Sequence, residues 1–299
     1  MNAEIWLWLL LVMLPYNNKT MNIVKKYENV RKAAEAIRDG IESSLSDEER
    51  QRAKIIRSKD VQAIITECRD NNIRIVTIED DEYPDALRNI TEPPIVLFVQ
   101  GSLVGLDEMT SLAVVGTRSP SKYSVGVAQK ICSELARNGI VLVSGLAVGL
   151  DTVAHSCALA NGAKTIGVLA CGNLINYPAA NRDMKKAIIQ NGGAIISELL
   201  PHTTVTPEYF KHRNRIISGL CKGTFIVEAP EKSGCLLTAE HTVEQGRELF
   251  CLPPHDVTSP LFSGVIPYLR DGATPVFGAE DTIYSLCYGG FPDNEEADT

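Results

Sequence analysis

Apolar residues repeat with two different periods along this chain. Over residues 1–66 the spacing is helical: "NVRKAAEAIRDG" ends on a glycine stop, and "SDEERQRAKII" opens with Ser46 followed three residues later by Glu49, a capping box. A small helical domain is expected over 1–66. Beyond it the apolar runs become short and continuous. "IRIVTI" (73–78) and "PIVLFVQG" (94–101) predict strands, with a short helix in "DDEYPDALRNI" between them.

From residue 111 strand and helix alternate. The strands are "SLAVVGT", "IVLVSG", "TIGVLAC", "AIISEL", "GTFIVEA" and, last, "ELFCLP". The helices between them are "SVGVAQKICSELARNG", "DTVAHSCALANG", "NRDMKKAIIQNGG", "RNRIISGL" and "CLLTAEHTVEQGR". Near-continuous apolar strands are those of a parallel sheet covered on both faces, and the alternation predicts an α/β, doubly wound, mostly parallel sheet over 67–288. Residues 254–267 read as a Pro/Ser-rich loop, "AEDTIYSL" as a closing helix, and 289–299 as an acidic, disordered tail.

The run "IWLWLLLVML" holds ten consecutive apolar residues, against the about 20 that a spanning helix needs. Glu4 precedes it and Pro15, Tyr16 and Asn17 follow, unlike the flanks of a signal peptide. It reads as a buried helix, with no membrane partner. The eight cysteines form no C-x-x-C pair and no His/Cys set with zinc spacing. They read as reduced, buried thiols of a cytoplasmic protein. No metal or cofactor is expected.

Ligands of a doubly wound sheet bind beyond the C-terminal strand ends, so the loops there hold the candidate chemistry. In "GTRSPSKYS", Gly116 permits a sharp turn and Arg118, beside Ser119 and Ser121, offers a bidentate donor near a helix N-terminus. This describes an anion cradle; a pairing of Arg118 with a nearby carboxylate is the alternative. In "SGLAVGLDTVAH", Ser144, Gly145 and Gly149 allow close backbone approach, and Asp151 is placed to cap the next helix. His155, four residues on, makes an Asp–His pair that is either structural or acid–base. Asn181 is placed to cap the helix after Tyr177-Pro178. Ser233-Gly234 opens another helix, followed by Thr238 and by Glu240, a candidate partner for a loop arginine. Sequence signatures of a nucleophile elbow, metal triad, kinase or paired-carboxylate enzyme are lacking, so no catalytic role is assigned.

The chain is acidic, with 29 Lys+Arg against 37 Asp+Glu and a net charge of −8. Against that background "YFKHRNRIISGL" stands out, with Lys211, Arg213 and Arg215 close together. The stretch is either a solvated helix end or an anion site. A regular helix splays residues two apart by about 200°, so both arginines reach one ligand only at an irregular helix start, with Asn214 as its cap.

Taken together these motifs resemble the DNA-processing protein A family (DprA, also Smf). The resemblance runs from about residue 73 to 253 and rests on "VTIEDDEYPDALRNITEPPIVLFVQG", "VVGTRSPSKYS", "VSGLAVGLDTVAHSCAL", "TIGVLACGNLINYPAAN", "FKHRNRIISGL", "IVEAPEKSGCLLTA" and "EQGRELFCLP". Residues 6–36 resemble the family's N-terminal helical domain more loosely. The resemblance implies an extended Rossmann-like domain that binds single-stranded DNA, protects incoming strands, helps load the RecA recombinase and dimerises. Arg118 and Arg213-Asn214-Arg215, with Lys211, would line the strand groove. Gly116, Ser119, Ser144, Gly145, Gly149, Asp151, His155, Asn181, Ser233 and Thr238 would shape it.

The chain departs from the family pattern at Ser124, at Pro254 and at Ser263-Gly264-Val265-Ile266. A C-terminal winged-helix domain is not expected. Two other function classes remain at this stage. One is a Rossmann-like nucleotide-binding enzyme of the phosphoribohydrolase type. The other is a scaffold whose basic segment docks an acidic protein.

Overall fold

The computed structural model describes residues 2–289. The acidic tail expected from 289 therefore falls, from residue 290 on, outside the described residues. Five helices come first: α1 (Asn2–Met13), α2 (Lys19–Lys26), α3 (Val30–Arg38), α4 (Asp47–Ile55) and α5 (Ser58–Asp70). Ser46 and Glu49 form the expected capping box on α4. The apolar run becomes α1, whose Trp6, Leu7, Trp8, Leu9, Leu10, Val12 and Met13 are all buried. A helix apolar on every side needs cover on every side; α1 is packed by α3, α4, α5 and the first two strands. Among the described residues no helix is long and apolar enough to cross a membrane.

The division expected at 66–67 falls inside α5, which runs on to Asp70 and stops where Asn72 takes a left-handed φ of 54°. The apolar core is continuous from Trp6 through Tyr83 and Phe98 into the sheet.

The sheet then forms from β1 (Arg74–Thr77), β2 (Val96–Gly101), β3 (Ser111–Val115), β4 (Val141–Ser144), β5 (Thr165–Val168) and β6 (Ala194–Ser197). It continues through β7 (Gly223–Ile226), β8 (Glu248–Cys251) and β9 (Thr274–Pro275). Short α6 (Asp85–Arg88) joins β1 to β2. The helices between the later strands are α7 (Lys122–Arg137), α8 (Leu150–Ala160), α9 (Arg182–Gln190), α10 (Pro207–Gly219) and α11 (Leu236–Glu244). α12 (Ile266–Arg270) and α13 (Ala279–Tyr288) complete the described chain.

The strand order is β1-β2-β6-β5-β4-β3-β7-β8-β9. β2 is antiparallel to both β1 and β6, and the remaining pairs are parallel. The expected α/β doubly wound, mostly parallel sheet is therefore the observed one. β3, β4, β5 and β7 are buried along their whole length, as strands covered on both faces must be.

The chain builds outward from β3 through β4, β5 and β6, then returns to place β7 on the other side of β3. That reversal is the topological switch point, where a crevice opens beyond the strand ends.

Two details differ from the sequence reading. β8 is not last: the two-residue β9 pairs with it, too short to leave a periodic signal. Helix α10 begins at Pro207, six residues before Arg213, because Pro207 suits a first helical turn and Thr206 Oγ1 accepts the Tyr209 N–H at 3.4 Å.

Candidate nucleic-acid interface

The loops after β3 and β7 meet across the switch point. Glu228, buried just past β7, accepts hydrogen bonds from Ser121 N at 3.2 Å, Ser121 Oγ at 2.5 Å and Ser124 Oγ at 2.6 Å. Its own carbonyl takes the Thr117 N–H at 2.8 Å. One residue thus fixes the segment that carries Gly116, Arg118 and Ser119. Sequence reasoning missed Glu228, which stands in "IVEAP" as an isolated acid after an apolar strand. Glu240, considered there as an arginine partner, is exposed on α11. Ser121 Oγ also accepts the Ser124 N–H and so caps α7, which suits the serine found after Tyr123.

The loop after β4 is shaped by the protein's own groups. Asp151 does not cap α8. It lies within the helix and its carboxylate takes the N–H groups of Gly145 at 3.1 Å and Ala147 at 3.2 Å. Gly149 has φ 87°, and a Cβ there would lie 2.5 Å from the Thr117 carbonyl oxygen. A Cβ on Gly145 would lie 2.0 Å from the Arg213 guanidinium. The close approach that these glycines permit is therefore made by neighbouring backbone and by Arg213. Ser144 is buried and donates to the Val114 carbonyl at 2.6 Å.

Asn181 makes no side-chain cap. Its amide donates to the carbonyls of Leu146 at 2.9 Å and Ala147 at 3.0 Å, holding the loop from beneath. His155 is fully buried, with Nδ1 2.8 Å from Thr165 Oγ1. Burial, reinforced by the charge of Arg213, pushes its imidazole down to about 3. His155 and Asp151 share no hydrogen bond, so the pair read from the sequence is two separate structural residues.

Asn214 lies mid-helix rather than at a cap, and its amide donates to the Gly234 carbonyl at 3.1 Å. Because α10 is regular here, Arg213 and Arg215 diverge. Arg213 turns to the strand ends, where Nη1 donates to the Val168 carbonyl. Arg215 turns away, and Nη2 donates to Glu198 Oε1 at 2.8 Å in a buried ion pair. The expectation that both arginines line one groove is corrected accordingly. The cluster is not at a helix N-terminus, so no dipole conflict calls for an anion. Lys211 is exposed and paired with Glu208 at 3.2 Å.

What remains at the switch point is a cleft of about 320 Å³ bordered by Arg118, Asp151, Phe210, Arg213, Ser233 and Thr238. Gly116, Asn214 and Gly234 also reach it. Arg213 is buried but stays protonated at neutral pH: burial pulls its guanidinium down to about 10, and the Asp151 carboxylate opposes the shift. Burial raises the Asp151 carboxyl in turn, against the pull of Arg213. The floor thus carries two buried groups of opposite charge that offset each other without a direct contact.

The outward-facing charge is Arg118, exposed and in no ion pair with any described residue. Its guanidinium stands 4.9 Å from the Phe210 ring centroid, and that of Arg213 stands 5.8 Å from the same ring. On the far side of Phe210 lies a smaller hollow with Val148, Tyr177 and Pro178. Tyr177 meets Phe210 edge-on, with centroids 5.8 Å apart. Phe210 was not singled out in the sequence; an aromatic one turn before a basic pair was the available signal. The cleft offers one exposed cation, a buried cation beneath it and two flat apolar faces. That set suits a phosphate joined to a heterocyclic base. Ser119 stands on the exposed rim.

Residues 74–287 match the family described as DNA recombination-mediator protein A. The chain is 36% identical to DNA processing protein DprA of Bacillus subtilis over 75% of its length and 74% of the relative's. It is 39% identical to DprA of Streptococcus pneumoniae, covering 69% of this chain and 72% of that one. The crystal structure of the S. pneumoniae protein superposes with a TM-score of 0.83 at 31% identity, over 96% of this chain and 98% of that one. DNA processing protein A of Helicobacter pylori, described for its single-stranded DNA binding mode, superposes with a TM-score of 0.65 at 30% identity. It covers 73% of this chain and 98% of that one.

Proposed function

This chain belongs to the DNA recombination-mediator protein A family, and from that membership we propose that its switch-point cleft binds single-stranded DNA. The observation that supports the reading most is Phe210 at the cleft mouth, whose ring centroid stands 4.9 Å from the guanidinium of Arg118 and 5.8 Å from that of Arg213. A strand is gripped at its backbone by Arg118, while an unstacked base lies on Phe210 and a neighbouring base on Tyr177. Arg213 and Asp151 set the floor and hold the loop after β4. Ser233, Asn214 and Thr238 give polar edges. Duplex DNA, whose bases are already stacked, has no use for these two rings.

The same reading makes the protein a cytoplasmic binding protein rather than an enzyme. It protects incoming strands, hands them to the RecA recombinase during uptake or recombination, and acts as a homodimer through the sheet domain. The helices before β1 form its accessory domain. Titration of a labelled oligonucleotide at two salt concentrations, beside duplex and mononucleotide, tests the binding. The expected order is single strand well ahead of both. A mononucleotide that binds as tightly, or is hydrolysed, favours the nucleotide-enzyme reading. The size of the cleft and its buried Asp151 carboxyl support that reading.

A further inference from the structure

Helix α11 opens onto the switch-point cleft: Ser233, Gly234, Cys235 and Thr238 all border it. The first N–H groups of a helix need partners from outside the helix, and here no side chain caps them; Cys235 holds the N-cap position without bonding to the turn. Leu236 N–H reaches the Ser233 carbonyl at 3.1 Å and Thr238 N–H the Cys235 carbonyl at 2.9 Å. The N–H groups of Gly234, Cys235 and Leu237 make no hydrogen bond with any described residue. A Cβ on Gly234 would meet nothing within 4 Å, so the space beside the turn is open.

A free helix N-terminus is common, and Thr238 sets this one apart. The residue is only 1% exposed, yet its hydroxyl makes no hydrogen bond with any described residue. Arg213 Nε is also unpartnered, but it is sealed from solvent. Thr238 Oγ1 is not sealed, so it opens onto the cleft that the residue borders. A buried hydroxyl left without a partner is costly, and here it stands beside three free N–H groups. The cleft ends at this turn. Beyond it the 263–264 segment is tied down, with Gly264 N donating to the Ala229 carbonyl at 3.0 Å and Glu231 N to Ser263 Oγ at 3.0 Å. A Cβ on Gly264 would fall 2.7 Å from Leu236 Cδ1, which shows how closely that segment is packed on α11.

The charge at the site separates two kinds of phosphate. Arg213 is offset by Asp151, which leaves Arg118 and the α11 N-terminus, the latter equivalent to about half a positive charge. An internal phosphodiester carries a single negative charge, whereas a phosphate monoester carries about 1.5 to 2 and offers three acceptor oxygens. Three N–H groups, one hydroxyl and Arg118 match the monoester.

Resting on the strand-binding reading, we propose that the cleft takes a single strand by its end, with the α11 N-terminus holding the terminal phosphate monoester. Gly234, Cys235 and Leu237 N–H and the Thr238 hydroxyl donate to its oxygens. Arg118 supplies the remaining charge from the rim, and the first base lies on Phe210.

The test uses the full chain and one internally labelled oligonucleotide in three forms: with a 5′-phosphate, with a 3′-phosphate, or with hydroxyls at both ends. One phosphorylated form is expected to bind about tenfold more tightly than the hydroxyl form, as charge-assisted hydrogen bonds require. The end preferred gives the direction of the strand. Thr238→Val is expected to cut that ratio to less than about threefold, and Thr238→Ser, which keeps the hydroxyl, to retain it. Hydrogen exchange of the wild-type protein is expected to slow further over residues 234–238 with the preferred strand than with the hydroxyl strand. Equal binding of all three forms overturns the inference and leaves strand binding in the cleft standing. Absence of binding by every form overturns both. A ratio unchanged in Thr238→Val, or added protection that falls away from 234–238, places the terminal phosphate elsewhere and also overturns it. If Thr238→Val does not fold, the wild-type ratio and exchange map decide.

Discussion

Arg213 and Arg215 stand two residues apart on α10 and send their guanidinium groups in different directions. Arg213 reaches the strand ends beside the Val168 carbonyl, while Arg215 reaches Glu198 beneath the α1–α2 turn. Helical geometry separates such neighbours by about 200°. One short basic stretch therefore serves both the cleft and the seam between the N-terminal helices and the sheet.

Arg215→Ala leaves Glu198 buried without its partner. Breaking a buried pair in this way costs about 3–5 kcal/mol. Chemical denaturation is expected to show that loss, with strand affinity of the folded variant near the wild-type value. A large affinity loss with unchanged stability would place Arg215 at the strand after all.

Phe210→Ala removes the ring that both cleft arginines face. Base–aromatic stacking contributes about 1–3 kcal/mol per base, so strand affinity is expected to fall by that amount in anisotropy titrations. Phe210→Trp is expected to retain it.

Glu228→Gln keeps the size of the side chain and removes the charge that gathers Ser121 and Ser124. Hydrogen bonds to a charged group contribute about 1.5–3 kcal/mol each. Faster hydrogen exchange over residues 116–124 is expected, together with weaker strand binding through a looser Arg118.

His155 gives the protein a defined acid sensitivity. Its folded-state value of about 3 lies below the ordinary value of 6.5, so the unfolded chain binds the proton more readily. Stability is complete above pH about 6.5 and falls as pH drops toward 3, by up to about 1.4 kcal/mol per pH unit. The raised Asp151 carboxyl works in the opposite sense in acid, where its protonation favours the folded state. His155→Asn is expected to flatten the fall in melting temperature between pH 7 and pH 5.

The sheet was legible because β3 to β7 are apolar on both faces and spaced by amphipathic helices, a pattern with few alternatives. The location of the cleft followed from it, since Arg118 and Ser233 lie just past strands that meet at the reversal. Side-chain destinations were less legible. Asp151 and Asn181 suit caps locally, yet each bonds to the 145–147 loop, which tertiary folding brings within reach. Helix α10 starts at Thr206-Pro207, a cap and first-turn proline, rather than at Asn214, which suits a cap locally but lies mid-helix. That shift decided where Arg213 and Arg215 point.

The most direct measurement compares strand affinity of Arg118→Ala and wild type across a salt series. With Arg118 as the chief outward-facing cation, wild-type log K is expected to fall against log salt with a slope of about −1, shallower than three phosphate contacts would give. Arg118→Ala is expected to lower affinity by about 1–3 kcal/mol and to flatten that slope, with melting temperature unchanged. An Arg118→Ala protein that binds single strands with wild-type affinity and slope would contradict the assignment of the switch-point cleft to DNA.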